Sequence, residues 1–254
     1  MKRAESSQSN PNRFRIAIVD SGLDIKHPHF AGLSIDAKDF TQSTCGIYDI
    51  WGHGTHHLGV IVSLAKSDTN LLSFIVAKVV DDYGFAPWKL VDAAIRWSLL
   101  QKVDVISIGV GAPEATKEFY ATVRLATRKT LIVAPVGNDF QNGMGKCLYP
   151  ARYAEVLGVA GCTAEEKMRD LKGLKDGCDI YIPIKGIDGP LPGNRCECRD
   201  GSSTACAYTV GLIVKLITRF RSLVSEIQSA NGKDVILMNF RQYYREEVIL
   251  MNNF

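Results

Sequence analysis

The sequence has no apolar run approaching the ~18 residues needed to cross a membrane as a helix. Its first ten residues, Met1 to Asn10, are polar and lack the apolar core of a secretory leader. No Cys-x-x-Cys pair occurs, and no Glu follows His53 in the manner of a His-Glu-x-x-His zinc helix. Charge of one sign is also missing: 30 basic and 27 acidic residues leave a formal net charge of +3. That balance argues against nucleic acid or a membrane surface as a partner. Histidine is scarce, and all five (His27, His29, His53, His56, His57) lie in the first quarter, so any imidazole chemistry must start there. The cysteines number seven, an odd count without a leader, and are read as mostly reduced thiols. No internal repeat or low-complexity segment stands out.

What is present is concentrated in three short stretches. They are Ile16-Ala17-Ile18-Val19-Asp20-Ser21-Gly22, Asp49-Ile50-Trp51-Gly52-His53-Gly54-Thr55-His56 and Asp200-Gly201-Ser202-Ser203-Thr204-Ala205. An apolar run delivering an acid, a Gly-flanked His and a Gly-flanked Ser are the parts of a nucleophilic triad. A Ser hydroxyl needs a base within hydrogen-bond reach, and imidazole suits because its pKa lies near working pH. A buried carboxylate then holds the imidazole in one tautomer and stabilises its cation. A fourth stretch, 130–139, reads as a buried strand ending in Gly137-Asn138, which presents a side-chain amide as an oxyanion donor.

Plainer readings exist for each piece. Asp-Ser-Gly after an apolar run is a common turn. His53 and His57 stand four apart and could share a helix face toward a metal, but no further ligand set accompanies them. Ser202-Ser203-Thr204 suits a helix cap. His27 and His29 flank Pro28 in a turn-like context, and His56 suits a structural place on the helix after His53. Cys196-Glu197-Cys198 is read as a solvated loop, and Cys206 as a small hydrophobe on the helix after the nucleophile. No cysteine sits in a Gly-flanked turn like that of Ser203.

With Asp20, His53 and Ser203 in that order and Asn138 between the last two, the chain resembles the subtilisin-like serine peptidases, the subtilase or S8 family. The separations are 33 residues (20 to 53) and 150 residues (53 to 203). Further stretches agree: 103–109 resembles the strand leading to the substrate edge, 149–153 the Tyr-Pro-Ala segment behind the specificity pocket, and 191–194 the loop before the Ser box. The resemblance runs from about residue 14 to about 220.

The resemblance implies peptide-bond hydrolysis by Asp20, His53 and Ser203, with Asn138 at the oxyanion. It implies a protein or peptide substrate lying extended between Asp82-Tyr83-Gly84-Phe85 and Gly109-Val110-Gly111-Ala112. Tyr83, Gly84, Gly109 and Gly111 are therefore substrate-binding candidates. Leu148 stands where the family has a Gly in the pocket floor, which predicts a shallow pocket, and Asp139 stands near its rim. Family members carry a calcium loop after the His helix; here 64–71 is brief and poor in acids, so no cofactor or metal is expected. His57 stands where the family has a small apolar residue, and the residue four after Ser203 is Ala207 rather than Pro.

The first triad strand begins almost at once, which leaves no room for a folding pro-domain. The expectation is an intracellular, cytoplasmic peptidase engaged in selective processing, or one whose leader precedes the present sequence. A regulatory partner or additional domain is expected with it, because an unrestrained cytosolic protease is toxic. The alternative is a latent or catalytically silent module of the same fold that binds a partner.

Short β-branched runs alternate with helical stretches: strands at 14–19, 73–79, 104–108, 130–134 and 155–160, and helices at 53–65, 87–101 and 115–128. This predicts an α/β fold, a three-layer α/β/α architecture with a mainly parallel central sheet. The expected division is a flexible arm over 1–13, a peptidase domain over 14–224 and a C-terminal helical segment over 225–254. Two amphipathic helices are predicted in that last segment, at 234–238 and 243–251.

Overall fold

In a computed structural model of the chain the described residues are 13–138, 147–162, 177–244 and 249–250. Among them an eight-stranded sheet forms the centre of the fold. Its strands are β1 (Phe14–Asp20), β2 (Ile35–Asp39), β3 (Leu72–Lys78), β4 (Val105–Ile108), β5 (Leu131–Pro135), β6 (Leu157–Cys162), β7 (Ile180–Pro183) and β10 (Ile249–Leu250). The order across the sheet is β10-β7-β6-β5-β4-β1-β3-β2. All neighbours pair in parallel except β10, which runs antiparallel to β7.

The central strands are mostly apolar because both their faces are covered, with Arg15, Asp20, Ser73, Lys78 and Ser107 as polar exceptions. Along β1, Phe14, Ile16 and Ile18 face one core, while Ala17 and Val19 face the other. On the first side lie α1 (His53–Leu64) and α4 (Ser202–Arg219), packed on one another. On the second lie α2 (Trp88–Leu100) and α3 (Lys117–Ala126), also in mutual contact. The three layers are those expected.

Helix α3 starts where Thr116 accepts a hydrogen bond from Phe119 N–H, a side-chain cap. Helix α4 is buried along almost its whole length. It approaches α1 closely because Gly211 has no side chain: a Cβ there would fall 2.5 Å from Leu64 Cδ1.

Three regions differ from expectation. The stretch containing Cys196 and Cys198 is not a loop but β9 (Arg195–Arg199), which pairs antiparallel with β8 (Ile187–Leu191). Arg195, Glu197 and Arg199 alternate with Cys196 and Cys198, but neither set is buried, since the strand is exposed over most of its length. Stretch 35–39 forms an edge strand although Asp36, Lys38 and Asp39, three of its five residues, are charged. At the C-terminus, α5 (Leu223–Ile227) and α6 (Gly232–Tyr243) cover the sheet through Ile227, Ile236, Leu237 and Phe240. The second expected helix, over 243–251, does not form as such: α6 ends at Tyr243 and Ile249–Leu250 join the sheet as β10. The edge of β7 would otherwise present an unpaired row of backbone groups. The arm over 1–12 lies outside the described residues.

Candidate active site

Asp20 ends β1 and His53 begins α1, and the turn between them is fixed by a second acid. Asp49 Oδ1 accepts from Ser21 Oγ at 2.8 Å and Gly52 N–H at 2.8 Å. Its Oδ2 accepts from Thr55 N–H and Oγ at 2.8 and 2.7 Å. These bonds satisfy backbone donors that the first turn of a helix leaves open. Ser21 Oγ also accepts from Gly54 N–H at 2.9 Å. Gly22 and Gly52 have positive φ, 117° and 75°, where a side chain is strained. The Gly residues of the His box therefore serve close approach: a Cβ on Gly54 would fall 2.4 Å from Gly22 O.

The result is His53 Nδ1 at 2.7 Å from Asp20 Oδ1. Asp20 is fully buried, and burial pushes its pKa up. The His53 charge and hydrogen bond, His57 and the Ser21 N–H outweigh burial and hold the carboxyl below its ordinary value. His53 moves the other way: the Asp20 charge raises its pKa against burial, with help from the hydrogen bond and from Asp49, while Arg199 opposes.

Ser203 stands in the first turn of α4, and its side chain lines one cavity of about 470 Å³ with His53 and Asn138. With Nδ1 on Asp20, His53 has Nε2 left for that cavity. Among the described residues Ser203 Oγ makes no hydrogen bond with His53. Such bonds are often long before substrate arrives. Asn138 Oδ1 accepts from Ser202 N–H at 2.8 Å and Ser202 Oγ at 2.9 Å. Its amide is thereby oriented, with Nδ2 the end that Ser202 does not use.

The other histidines are structural in different ways. His56 Nε2 lies 3.1 Å from Ile187 O and 3.2 Å from Glu197 O, so one ring ties α1 to both strands of the hairpin. His27 Nδ1 accepts from His29 N–H at 3.1 Å, within the turn read around Pro28. His57 is buried, with Nε2 2.7 Å from Ser107 Oγ and Nδ1 3.7 Å from Asp20 Oδ2. Its ring faces Asp20 rather than a metal set. Among the described residues no group of three or more His, Cys, Asp or Glu has metal-holding geometry. Cys206 is buried, and burial pushes its thiol up to about 12, far from thiolate chemistry.

The substrate candidates fall on two sides. Tyr83 is 83% exposed and Gly84 has φ 87°, with its backbone over the Trp51 ring. The expected edge strand over 82–85 is instead a tight turn, because Asp81 Oδ1 accepts from both Tyr83 and Phe85 N–H at 2.9 Å. Trp51 Nε1 donates to Asp81 O at 3.0 Å and joins this turn to the His box. On the other side Gly109 follows β4, and Ala112 bridges antiparallel to Tyr149. Gly111 and Gly137 both border Leu148: added Cβ atoms would lie 3.1 Å from Leu148 Cβ and 2.9 Å from its Cγ respectively. Leu148 thus occupies the space between two bare stretches of backbone. Asp139 lies outside the described residues.

The sequence reading gave no role to Asp49, Ser107 or Trp51. Asp49 was detectable as a capping residue four before His53; the contacts of Ser107 and Trp51 depend on tertiary structure alone.

The sequence model of the subtilase family, peptidase S8, matches residues 12–248. The chain belongs to the subtilase family. It is 28% identical over 215 residues to the major intracellular serine protease of Bacillus subtilis, an alignment covering 78% of this chain and 66% of that protein. It is 25% identical over 219 residues to the intracellular serine protease of Paenibacillus polymyxa, covering 82% and 67%. Thermitase of Thermoactinomyces vulgaris is 26% identical over 223 residues, covering 85% and 78%. The subtilase fold is also seen in the likeness to the prenylagaramide maturation protease PagA, with a TM-score of 0.64, 21% identity and coverage of 82% and 76%. The chain thus spans about two thirds of its two intracellular relatives. No helix among the described residues is long and apolar enough to cross a membrane.

Proposed function

We propose that this subtilase is a serine endopeptidase in which Ser203 is the nucleophile, His53 the general base and Asp20 its orienting acid. The observation that carries this is the 2.7 Å His53–Asp20 contact on the wall of the cavity that Ser203 and Asn138 share. His53 Nε2 takes the Ser203 hydroxyl proton as Oγ attacks the scissile carbonyl. The imidazolium then gives that proton to the leaving amine, and water repeats the cycle on the acyl-enzyme. The oxyanion is held by Asn138 Nδ2 and by backbone N–H groups at the start of α4, which lack helical partners. No cofactor enters this scheme.

Leu148 supports a shallow pocket for the residue before the cut, favouring small side chains. The substrate is a protein or peptide. The names of the two Bacillus and Paenibacillus relatives favour an intracellular role in selective processing, with restraint by a regulatory partner or further domain. A latent state is the second reading, favoured by the open Ser203–His53 contact.

Labelling with a fluorophosphonate probe, read by intact mass, separates the two. One adduct on the native chain and none on Ser203→Ala supports the peptidase. A folded chain that takes no adduct overturns it and leaves the latent module.

A further inference from the structure

The geometry points to His57 as a positioning residue of this active site: a neutral imidazole that donates Nδ1–H to the second oxygen of Asp20 and so fixes the acid on which His53 turns. The inference rests on the proposed roles of Asp20 and His53.

Two buried polar atoms lack a hydrogen bond among the described residues and face each other: Asp20 Oδ2 and His57 Nδ1. Their separation is 3.7 Å. That is about half an ångström beyond hydrogen-bond length, a gap that a small shift of the ring would close. One is a carboxylate acceptor, and the other is a donor in only one ring tautomer. If His57 carried its proton on Nε2, the Nδ1 lone pair would point at the carboxylate and both atoms would stay unsatisfied, a costly arrangement in a dry interior.

With the proton on Nδ1 the whole group closes. Ser107 Oγ, 2.7 Å from Nε2, donates to the ring. Cys206 Sγ lies 3.8 Å from the same hydroxyl and can donate to it in turn. The order is then Cys206, Ser107, His57, Asp20, His53, and it joins α4, β4, α1 and β1. Burial drives the His57 pKa down to about 4 against the pull of Asp20, so the ring stays neutral where His53 titrates. The other charges acting here are Asp49 and Arg199 on His53, and His53 and His56 on His57.

Asp20 therefore faces an imidazole on each oxygen: His53 hydrogen-bonded at 2.7 Å on Oδ1, and His57 Nδ1 3.7 Å from Oδ2. The two rings are 6.2 Å apart between centroids and inclined at 43°. A donor on Oδ2 stops the carboxylate from rotating and draws off part of its charge, which moderates its pull on His53.

The test is nuclear magnetic resonance of the full chain with ¹⁵N-labelled histidine, where five rings are followed through a pH titration. The expected result is the Nδ1–H tautomer for His57. In His57→Val the His53 pKa rises by about half a unit or more. In His57→Asn, whose Nδ2–H takes the place of Nδ1–H, it returns toward the native value. In peptide hydrolysis kcat of His57→Val falls about two- to tenfold with KM held, and His57→Asn recovers it. An Nε2–H tautomer in the native chain overturns the inference even if neither variant folds. So does a His53 titration unchanged in His57→Val. Absence of hydrolysis by the native chain would overturn the peptidase reading instead, since the tautomer is read without turnover.

Discussion

Gly109 and Asp20 touch across the end of the sheet: a Cβ on Gly109 would fall 1.8 Å from Asp20 Oδ2 and 3.3 Å from His53 Cε1. Asp20 lies against bare backbone, so Gly109→Ala must move either the carboxylate or β4. We expect kcat/KM to fall about a hundredfold while circular dichroism stays native, as a misplacement near 1 Å suffices for that loss.

Asn138 separates two tasks at one side chain. Oδ1 accepts from Ser202, and Nδ2 is assigned to the oxyanion. Asn138→Leu is expected to lower kcat by about 10²–10³ with little change in KM. Ser202→Ala removes one of the two donors that orient the amide and should cost only about two- to fivefold. Equal losses in steady-state kinetics would contradict this division.

The acid limb of kcat/KM should lie above the ordinary imidazole range, because Asp20 raises the His53 pKa and only neutral His53 accepts the Ser203 proton. Arg199 lowers that pKa. Replacing it with Met therefore moves the limb to higher pH, which a pH–rate profile measures directly.

Stability carries a separate signature of His57. Its pKa falls from 6.5 unfolded to about 4 in the folded chain, so the unfolded state binds the extra proton between those values. Stability is full above pH 6.5 and falls as the pH drops toward 4, by about 3 kcal/mol from this group. Denaturant unfolding at several pH values should show a shallower decline in His57→Val than in the native chain.

Leu148→Gly empties the space beside Gly111 and Gly137. Peptides with Phe before the cut should gain about tenfold or more in kcat/KM relative to those with Ala, from the apolar area newly buried. An unchanged ratio would place the specificity pocket elsewhere.

The sequence displayed its fold where local and global demands coincide. β1, β3, β4 and β5 are mostly apolar because both faces are covered, and α1 announces itself by its box and cap. β2 was hidden because an edge strand tolerates Asp36, Lys38 and Asp39, and β10 because two residues carry no period of their own. The hairpin of β8 and β9 was hidden by its exposed charges and cysteines. In the site, Asp20, His53, Ser203 and Asn138 stood out by their Gly-flanked boxes and by the resemblance, and the fold brings His53, Ser203 and Asn138 to one cavity with Asp20 behind His53. His57 could not be understood that way: its partners Asp20 and Ser107 lie 37 and 50 positions off along the chain (57 less 20, 107 less 57), and only the sheet brings them together.

The His56 ring holds carbonyls from both β8 and β9, and Pro190 packs where Gly59 leaves room on α1. The strand that ends at Arg199 leads within three residues into the helix bearing Ser203. His53 and Ser203 are therefore mounted on one lateral brace as well as on the sheet. Any displacement of α1 would carry the hairpin with it through these contacts, which couples the positions of the His53 ring and the Ser203 hydroxyl.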